Sequence, residues 1–441
     1  MNSKKFLSRY GFVLLVAAIV VFRFLYSLSQ EFWYLDEDVL QIYLIGLKSF
    51  TTHTYPYFGA DLVYNGSQIP GALQGYLVSI GWFIWKIPEA PFIVLNILLT
   101  LGLGFLAWYA SKRFPSLSRI FIWIYIFLIP WSICYFTRIV NPSYVIPGAI
   151  MFFVGIFEIY PQTRKNIIPE WLCFYFIGFA IFWIMQLHMS WVLLGPFTAF
   201  AFYYLLRTKD IKRIAGRTLS FIAGCITTAS LLLPTLATYG IASGRGKSVS
   251  AMAEFHPEHF AAFFKLLGVY LGYACFDQNR FRSLGEADSA AFAAAYPWAV
   301  PCIVILLVTG FIQALWLLLC FFRKSNGDSK RRGITNIAIG GFLLFFISTL
   351  FSMIIPPSHA AVLFFPLMII YALEAYQEPM KKKWVRIWMY SAFGAAVIFY
   401  TANGLYRYYN VSMYKNRDAV VKALEQDNYE LVGLRRYEKG K

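Results

Sequence analysis

Long apolar runs alternate along this chain with short clusters of lysine and arginine. The runs fall near residues 10–29, 69–87, 91–110, 120–137, 143–160, 168–187, 189–206, 218–237, 298–322, 334–355, 359–377 and 387–405. A helix rises about 1.5 Å per residue, so about 20 apolar residues cross a ~30 Å hydrocarbon core. The pattern therefore predicts an all-α polytopic membrane protein. No small-residue cleavage site follows the first run, which reads as an uncleaved span and not as a signal peptide.

The basic clusters set a topology. They are Lys4-Lys5-Arg9, Lys112-Arg113-Arg119, Arg164-Lys165, Arg207 to Arg217, Arg323 to Arg332, and Lys381 to Arg386. If all face the cytoplasm, as the positive-inside bias requires, an even number of spans separates each neighbouring pair. Three runs lie between the first two clusters, so one of them does not cross. Residues 69–87 begin Pro70-Gly71 and carry Gln74, Gly75, Ser79 and Gly81, the composition of an interfacial or re-entrant segment. The stretch 261–276 is too short to span and is interrupted by Lys265. About eleven spans result, with the N-terminus inside and the C-terminus outside. Residues 1–405 form the membrane domain and 406–441 a short extracytoplasmic tail, too small for a sizeable soluble domain.

Composition agrees and excludes other classes. Hydrophobic residues make up 59% of the 441, aromatics 20% and charged residues only 14%, outside the soluble range. A net charge of +17 in a soluble chain would suggest nucleic acid; here the cations sit in interhelical loops that face anionic lipid, and no nucleic-acid partner is expected. The six cysteines have no metal-like spacing. His256 and His259, at i and i+3, lack a third ligand at useful spacing, so no zinc site is expected.

This topology leaves the loops 30–68, 138–142 and 238–297 outside, together with the turns at His188 and His359. All five histidines then lie on that side. The cytoplasmic loops are short and offer only lysine and arginine, so any chemistry is extracytoplasmic. No nucleotide-activated substrate is available there, and an enzyme would need an activated group already carried by a lipid.

The loop 30–68 holds Glu31, Asp36, Glu37, Asp38 and Asp61 against one base, Lys48. Asp36 precedes a mostly apolar stretch, residues 39–47, which would lie as a helix along the interface. An aspartate there caps a helix, but one cap needs one acid. Three adjacent carboxylates repel each other and call for a counter-cation, a metal or a proton-accepting task. Arg138 lies at the outer end of its span, either facing an anion or snorkelling to anchor the helix. Gln186 and His188 occupy a turn so tight that its side chains face other spans, where the histidine serves either a substrate or a local hydrogen bond. His359, after Pro356-Pro357-Ser358, sits at an equivalent depth and is a candidate for carrier phosphate or acceptor. In the loop 238–297, residues 260–276 are apolar enough to lie on the membrane as a lid, and Arg280 and Arg282 could steer a phosphate; the alternative is a solvated connector.

The first span, the acidic motif, the interfacial helix, Tyr55-Pro56-Tyr57-Phe58-Gly59 and the stretch Gly66-Ser67-Gln68-Ile69-Pro70-Gly71-Ala72-Leu73 together resemble the membrane-embedded GT-C glycosyltransferases. The likeness is to the branch of protein O-mannosyltransferases, lipid A aminoarabinose transferases and their bacterial relatives, and covers about residues 1–200. It implies an inverting enzyme that moves a monosaccharide from a polyprenyl-phosphate carrier to a glycan, lipid or protein acceptor outside the membrane; the compact loops point to a bacterial inner membrane. It further implies that the first acid of the Asp-Glu pair, Asp36, is the catalytic base, with Glu37 and Asp38 beside it. Arg138 resembles the arginine found at the outer end of that span in the family, and the Gln186-Leu187-His188 turn is similar to turns in its bacterial members. Tyr57, Gln68, Gln186 and His188 become substrate-binding candidates; Arg138, Arg280, Arg282 and His359 become candidates for the carrier phosphate. Sugar transfer to a hydroxyl needs a base at the attacking oxygen and cationic donors at the leaving phosphate. No metal or other cofactor is expected, since arginine alone can hold a monophosphate, although Asp36 and Asp38 also fit an Asp-x-Asp pattern that a divalent cation could occupy. A lipid-linked glycan polymerase or ligase would rest instead on basic residues in large outer loops. A transporter would show buried acids and two similar halves, and Glu158 is almost the only acid within a span.

Overall fold

The computed structural model describes residues 3–30, 37–62, 67–240, 254–276, 286–323, 329–410 and 417–432. The chain is almost wholly helical, with one two-stranded antiparallel sheet among the described residues. Seven helices there are long and apolar enough to cross a membrane, or eight if one bent pair is a single span. The architecture is that of an all-α polytopic membrane protein.

Helix α1 (Ser3–Gln30) leads to α2 (Glu37–Thr52), a hairpin of β1 (Phe58–Leu62) and β2 (Ser67–Pro70), and the short α3 (Leu73–Ile84). Next come α4 (Ala90–Arg113), α5 (Arg119–Leu128) with a π-helical turn at Trp131–Tyr135, and α6 (Asn141–Ile159). Then α7 (Glu170–Met185), a 3₁₀ turn at Met189–Leu194, α8 (Gly195–Leu206), α9 (Ile211–Ala229) and α10 (Leu233–Tyr239) follow. The last two meet at a 65° bend. The remainder is α11 (Phe263–Gly272), α12 (Glu286–Ala295), α13 (Val300–Phe322), α14 (Ser329–Thr349), α15 (Phe365–Tyr376), α16 (Lys383–Asn410) and α17 (Arg417–Glu425).

Contacts sort the connections between helices into two ends. The basic clusters gather at one. Arg119 lies 4.2 Å over the Phe12 ring near the start of α1, Arg113 donates to the Thr163 carbonyl at 2.7 Å, and Ser116 donates to Gln377 at 2.6 Å. Arg213 and Arg217 both bind Glu170. Gly333 packs so closely on Gln162 and Thr163 that an added Cβ would meet Gln162 at 2.8 Å.

The opposite end collects the hairpin and the turns. Tyr55 donates to the Leu231 carbonyl at 2.5 Å, Thr235 to the Tyr57 carbonyl at 2.7 Å, and Tyr43 to the Pro88 carbonyl at 2.9 Å. Both ends of α3 lie here: it follows the hairpin directly, and Glu89 beyond it pairs at 2.6 Å with Arg417, past the far end of α16. The tail continues across this end, with Lys48 5.5 Å over the Tyr429 ring. His256 and His259 dock the start of α11 on the end of α14 through the carbonyls of Leu350 and Thr349.

Two expectations change in detail. The span expected near 120–137 is broken at Pro130 into α5 and the π turn. Residues 260–276 are not a lid on the surface. One face of this segment is wedged into the bundle, with Leu266, Tyr270, Leu271 and Tyr273 buried; Tyr270 donates to the Ala338 carbonyl at 2.8 Å, and Gln313 accepts from the Phe276 amide at 2.9 Å. Its tyrosines carry polar tips that carbonyls of neighbouring segments satisfy, Tyr270 at Ala338 of α14 and Tyr273 at Ser358 of the loop 350–361.

Candidate active site

The broken span builds the site. Pro130 has no amide proton, so the helix ladder stops and the carbonyls before it lose their partners. Apolar surroundings make orphan carbonyls expensive, and non-helical backbone at membrane depth persists only where protein satisfies it. Buried polar side chains do so here. Arg23, the only charge within residues 10–29, donates to the carbonyls of Phe127 and Ser132 at 3.0 and 2.6 Å; Ser132 Oγ reaches the Ile126 carbonyl at 2.5 Å. The cation sits where the α5 dipole is negative. Ser27 Oγ, held by Asn96, donates to the Thr137 carbonyl at 2.9 Å, and Ser143 Oγ donates to the Tyr135 carbonyl at 2.8 Å. Residues 136–140 are thereby fixed as a non-helical connector, and Arg138 is its half-buried cation.

Arg138 lines a cavity of about 580 Å³ that His188 and His359 also line. Three stretches far apart in sequence supply them: the connector 136–140, the α7–α8 turn, and the loop 350–361. His359 stacks on Tyr135, ring centroids 5.8 Å apart and 19° between planes. His188 Nδ1 accepts from the Ser190 amide at 3.1 Å and lies 2.8 Å from Ser190 Oγ. An amide can only donate, so Nδ1 is the acceptor and the neutral ring carries its proton on Nε2. Burial, with His359 nearby, pushes the His188 pKa down to about 4.

Asp61 of β1 lines the same cavity. Between the Phe58–Pro70 and Asp61–Gln68 pairs, β1 carries one extra residue, a bulge of the kind that re-aims side chains. Gln68 Nε2 donates to Asp61 Oδ1 at 2.9 Å. Gln74, fully buried, ties the hairpin to the connector by accepting from the Ala60 amide at 3.4 Å and donating to Asn141. Ile42 of α2 completes this wall. Asp38 stands one helical turn before Ile42 in the same helix.

Of the residues singled out from sequence, Arg138, His188 and His359 come together at the cavity, with Gln68 one step behind through Asp61. Two do not join them. Gln186 is fully buried and donates to the carbonyls of Phe182 and Thr228, locking α7 to α9. Its amide lies against Gly71, where φ is +112° and a Cβ would strike Gln186 Oε1. Tyr57 packs on Tyr55 and Tyr239, and its carbonyl accepts from Gly71 and Thr235, so it fastens α10 to the hairpin. Asp36, Arg280 and Arg282 lie outside the described residues; for Glu37 and Asp38 only the backbone is described.

Asp61, Gln74, Asn141 and Arg23 were not among the site residues expected from sequence. Arg23 had a signal, since a lone charge inside an apolar span is a functional residue by default. Asn65-Gly66 was the signal for the hairpin that presents Asp61.

A second cavity, of about 880 Å³, lies between α8 and α14 and is lined mainly by apolar side chains, with Arg332 at the basic end. The first cavity is lined by the 3₁₀ turn that precedes α8, through Val192 and Leu193, and by α14, through Phe345 and Ser348. From Gly333 to Ser348 the α14 wall runs about 22 Å at 1.5 Å per residue. Among the described residues no group of three or more histidine, cysteine or acidic side chains is arranged to hold a metal.

No protein-family model, curated protein or solved structure matches the chain.

Proposed function

We propose that this protein is an inverting glycosyltransferase that takes a monosaccharide from a polyprenyl-phosphate carrier and transfers it to an extracytoplasmic acceptor. The observation that carries this reading is the convergence of Arg138, His188 and His359 on one cavity, with Asp61 on its wall, at the end opposite the basic clusters. Those groups suit a leaving phosphate, since the guanidinium and the Nε2 proton of His188 are donors that growing negative charge strengthens. The apolar cavity between α8 and α14, which shares the α14 wall with the first, suits an isoprenoid chain.

In this reading an acceptor hydroxyl attacks the anomeric carbon and loses its proton to a carboxylate, and the bond from that carbon to the phosphate oxygen breaks with the electron pair leaving on phosphate. Asp36 is the proposed base, on the resemblance of the acidic motif. Asp61 is a second carboxylate, suited to holding acceptor hydroxyls. The eight long apolar segments plus α5, α7 and α15 give the eleven spans of the proposed topology, with the cavity outside and the membrane that of a bacterial cell. Glu158 offers no support to a transporter, because its carboxylate is taken up by Arg113, Tyr109 and two backbone amides.

Mass analysis of envelope glycans tests the reading. Cells carrying the Asp36→Asn chain should lose a single-sugar decoration while the protein persists in the membrane, and Asp61→Asn should weaken the same decoration. Unchanged glycans in cells lacking the protein altogether would exclude the activity.

A further inference from the structure

At the basic end a third cavity, of about 570 Å³, lies between α13 and α16 beneath the turn that joins α15 to α16. Its walls are aromatic and firmly set. Trp388 donates to Thr309 Oγ1 at 3.0 Å and Trp316 to the Ala375 carbonyl at 3.3 Å, while Trp384 stands 66% exposed at the rim. Two cations, Arg323 and Lys382, line the cavity and are exposed. The one acid among the lining residues, Glu378, is bound by Lys381 at 2.7 Å.

An apolar slot between membrane helices, ringed by tryptophan and headed by two cations, matches one kind of molecule at both ends. Acyl chain fills the slot and an anionic headgroup meets the cations. A zwitterionic phospholipid would bring an ammonium group beside Arg323 and Lys382 and lose that complementarity. The mouth opens among the basic clusters, at the membrane face where anionic lipid attracts them.

We infer that the α13–α16 cavity is a binding site for an anionic phospholipid of the leaflet facing the basic end. The site is separate from the candidate active site and does not depend on the reading of that site.

The full chain, purified in detergent, is titrated with phosphatidylglycerol or phosphatidylcholine whose acyl chains are dibrominated, and quenching of tryptophan fluorescence is followed. Phosphatidylglycerol should reach half-maximal quenching at a lipid fraction at least about threefold below phosphatidylcholine, because only its headgroup meets the two cations without bringing an ammonium group beside them. The double variant Arg323→Gln, Lys382→Gln should bring the two lipids to the same midpoint. Replacing Trp384 and Trp388 by Phe should remove most of the headgroup-dependent quenching, and this second variant leaves the cations in place. Equal midpoints in the unaltered chain, or a preference that survives both variants, would overturn the assignment.

Discussion

At the basic end of this bundle, the enclosed charges are cancelled where they stand. Arg113 and Glu158 are both enclosed, 3.5 Å apart, with Tyr109 bridging them and the Thr163 carbonyl and two amides filling the remaining hydrogen-bond positions. At the other end, Arg138, His188, His359 and Asp61 face a shared cavity, and helices stop short or bend to let them do so. Similar side chains therefore serve opposite purposes. Where the helices run on to regular ends, ionisable groups tie loops together; where proline and a hairpin break them, the groups are presented to whatever enters.

The difference can be broken most severely at Glu158. Removing one member of an enclosed ion pair leaves the other charge uncompensated, a loss of about 3–5 kcal/mol. Glu158→Ala should therefore deplete the folded protein from membranes, measured as recovery after detergent extraction and as the thermal midpoint of what remains. Arg138→Ala should do the reverse, leaving the thermal midpoint near that of the unaltered chain and lowering the proposed transfer about 10²–10³-fold, the usual loss for one donor to a developing anion. An Arg138 variant that unfolds like the Glu158 variant would move this residue into the structural class.

Packing between the ends gives a smaller effect. A Cβ at Gly178 would overlap the Phe221 carbonyl of α9, and one at Gly224 the Tyr175 carbonyl of α7, so these two helices touch backbone to backbone through paired glycines. Gly178→Ala should cost about 1–3 kcal/mol in unfolding free energy without selectively lowering transfer.

His188 sharpens the contrast through pH. Its folded pKa lies near 4, below the ordinary 6.5, so the unfolded chain takes up the proton first. Stability is full above pH 6.5, declines as pH falls towards 4, and declines no further once the folded ring is protonated. His188→Asn, which keeps an acceptor for the Ser190 amide, should flatten the thermal midpoint across that window.

The all-helical class, the membrane location and the grouping of basic clusters were legible because hydrophobic runs and charge bias are local properties of sequence. So were Arg138, His188 and His359, each a polar residue at the mouth of an apolar run. Illegible were the partners. Nothing in the order of residues tells that Arg23 meets carbonyls more than a hundred positions away, or that Gln186, in the same tight turn as His188, points into the α7–α9 contact and not into the cavity. Residues 260–276 misled for the same reason, since an apolar face fits a lipid surface and a protein interior equally well.

The smallest effect is expected at the tail. Arg417 and Glu89, both partly exposed, hold α17 against the end of α3 and the start of α4 at the cavity end. Partly exposed pairs are screened by solvent and seldom exceed about 1 kcal/mol. Arg417→Ala should leave the thermal midpoint within about 2–4 °C of the unaltered chain. Proteolysis is the more sensitive measurement: cleavage within the tail that carries α17 should quicken in the variant and slow as salt is lowered for the unaltered chain, because the attraction lengthens its reach as screening falls. Cleavage indifferent to both the substitution and salt would mean that the tail is held by the packing of Val420 and Leu424, with its charges incidental.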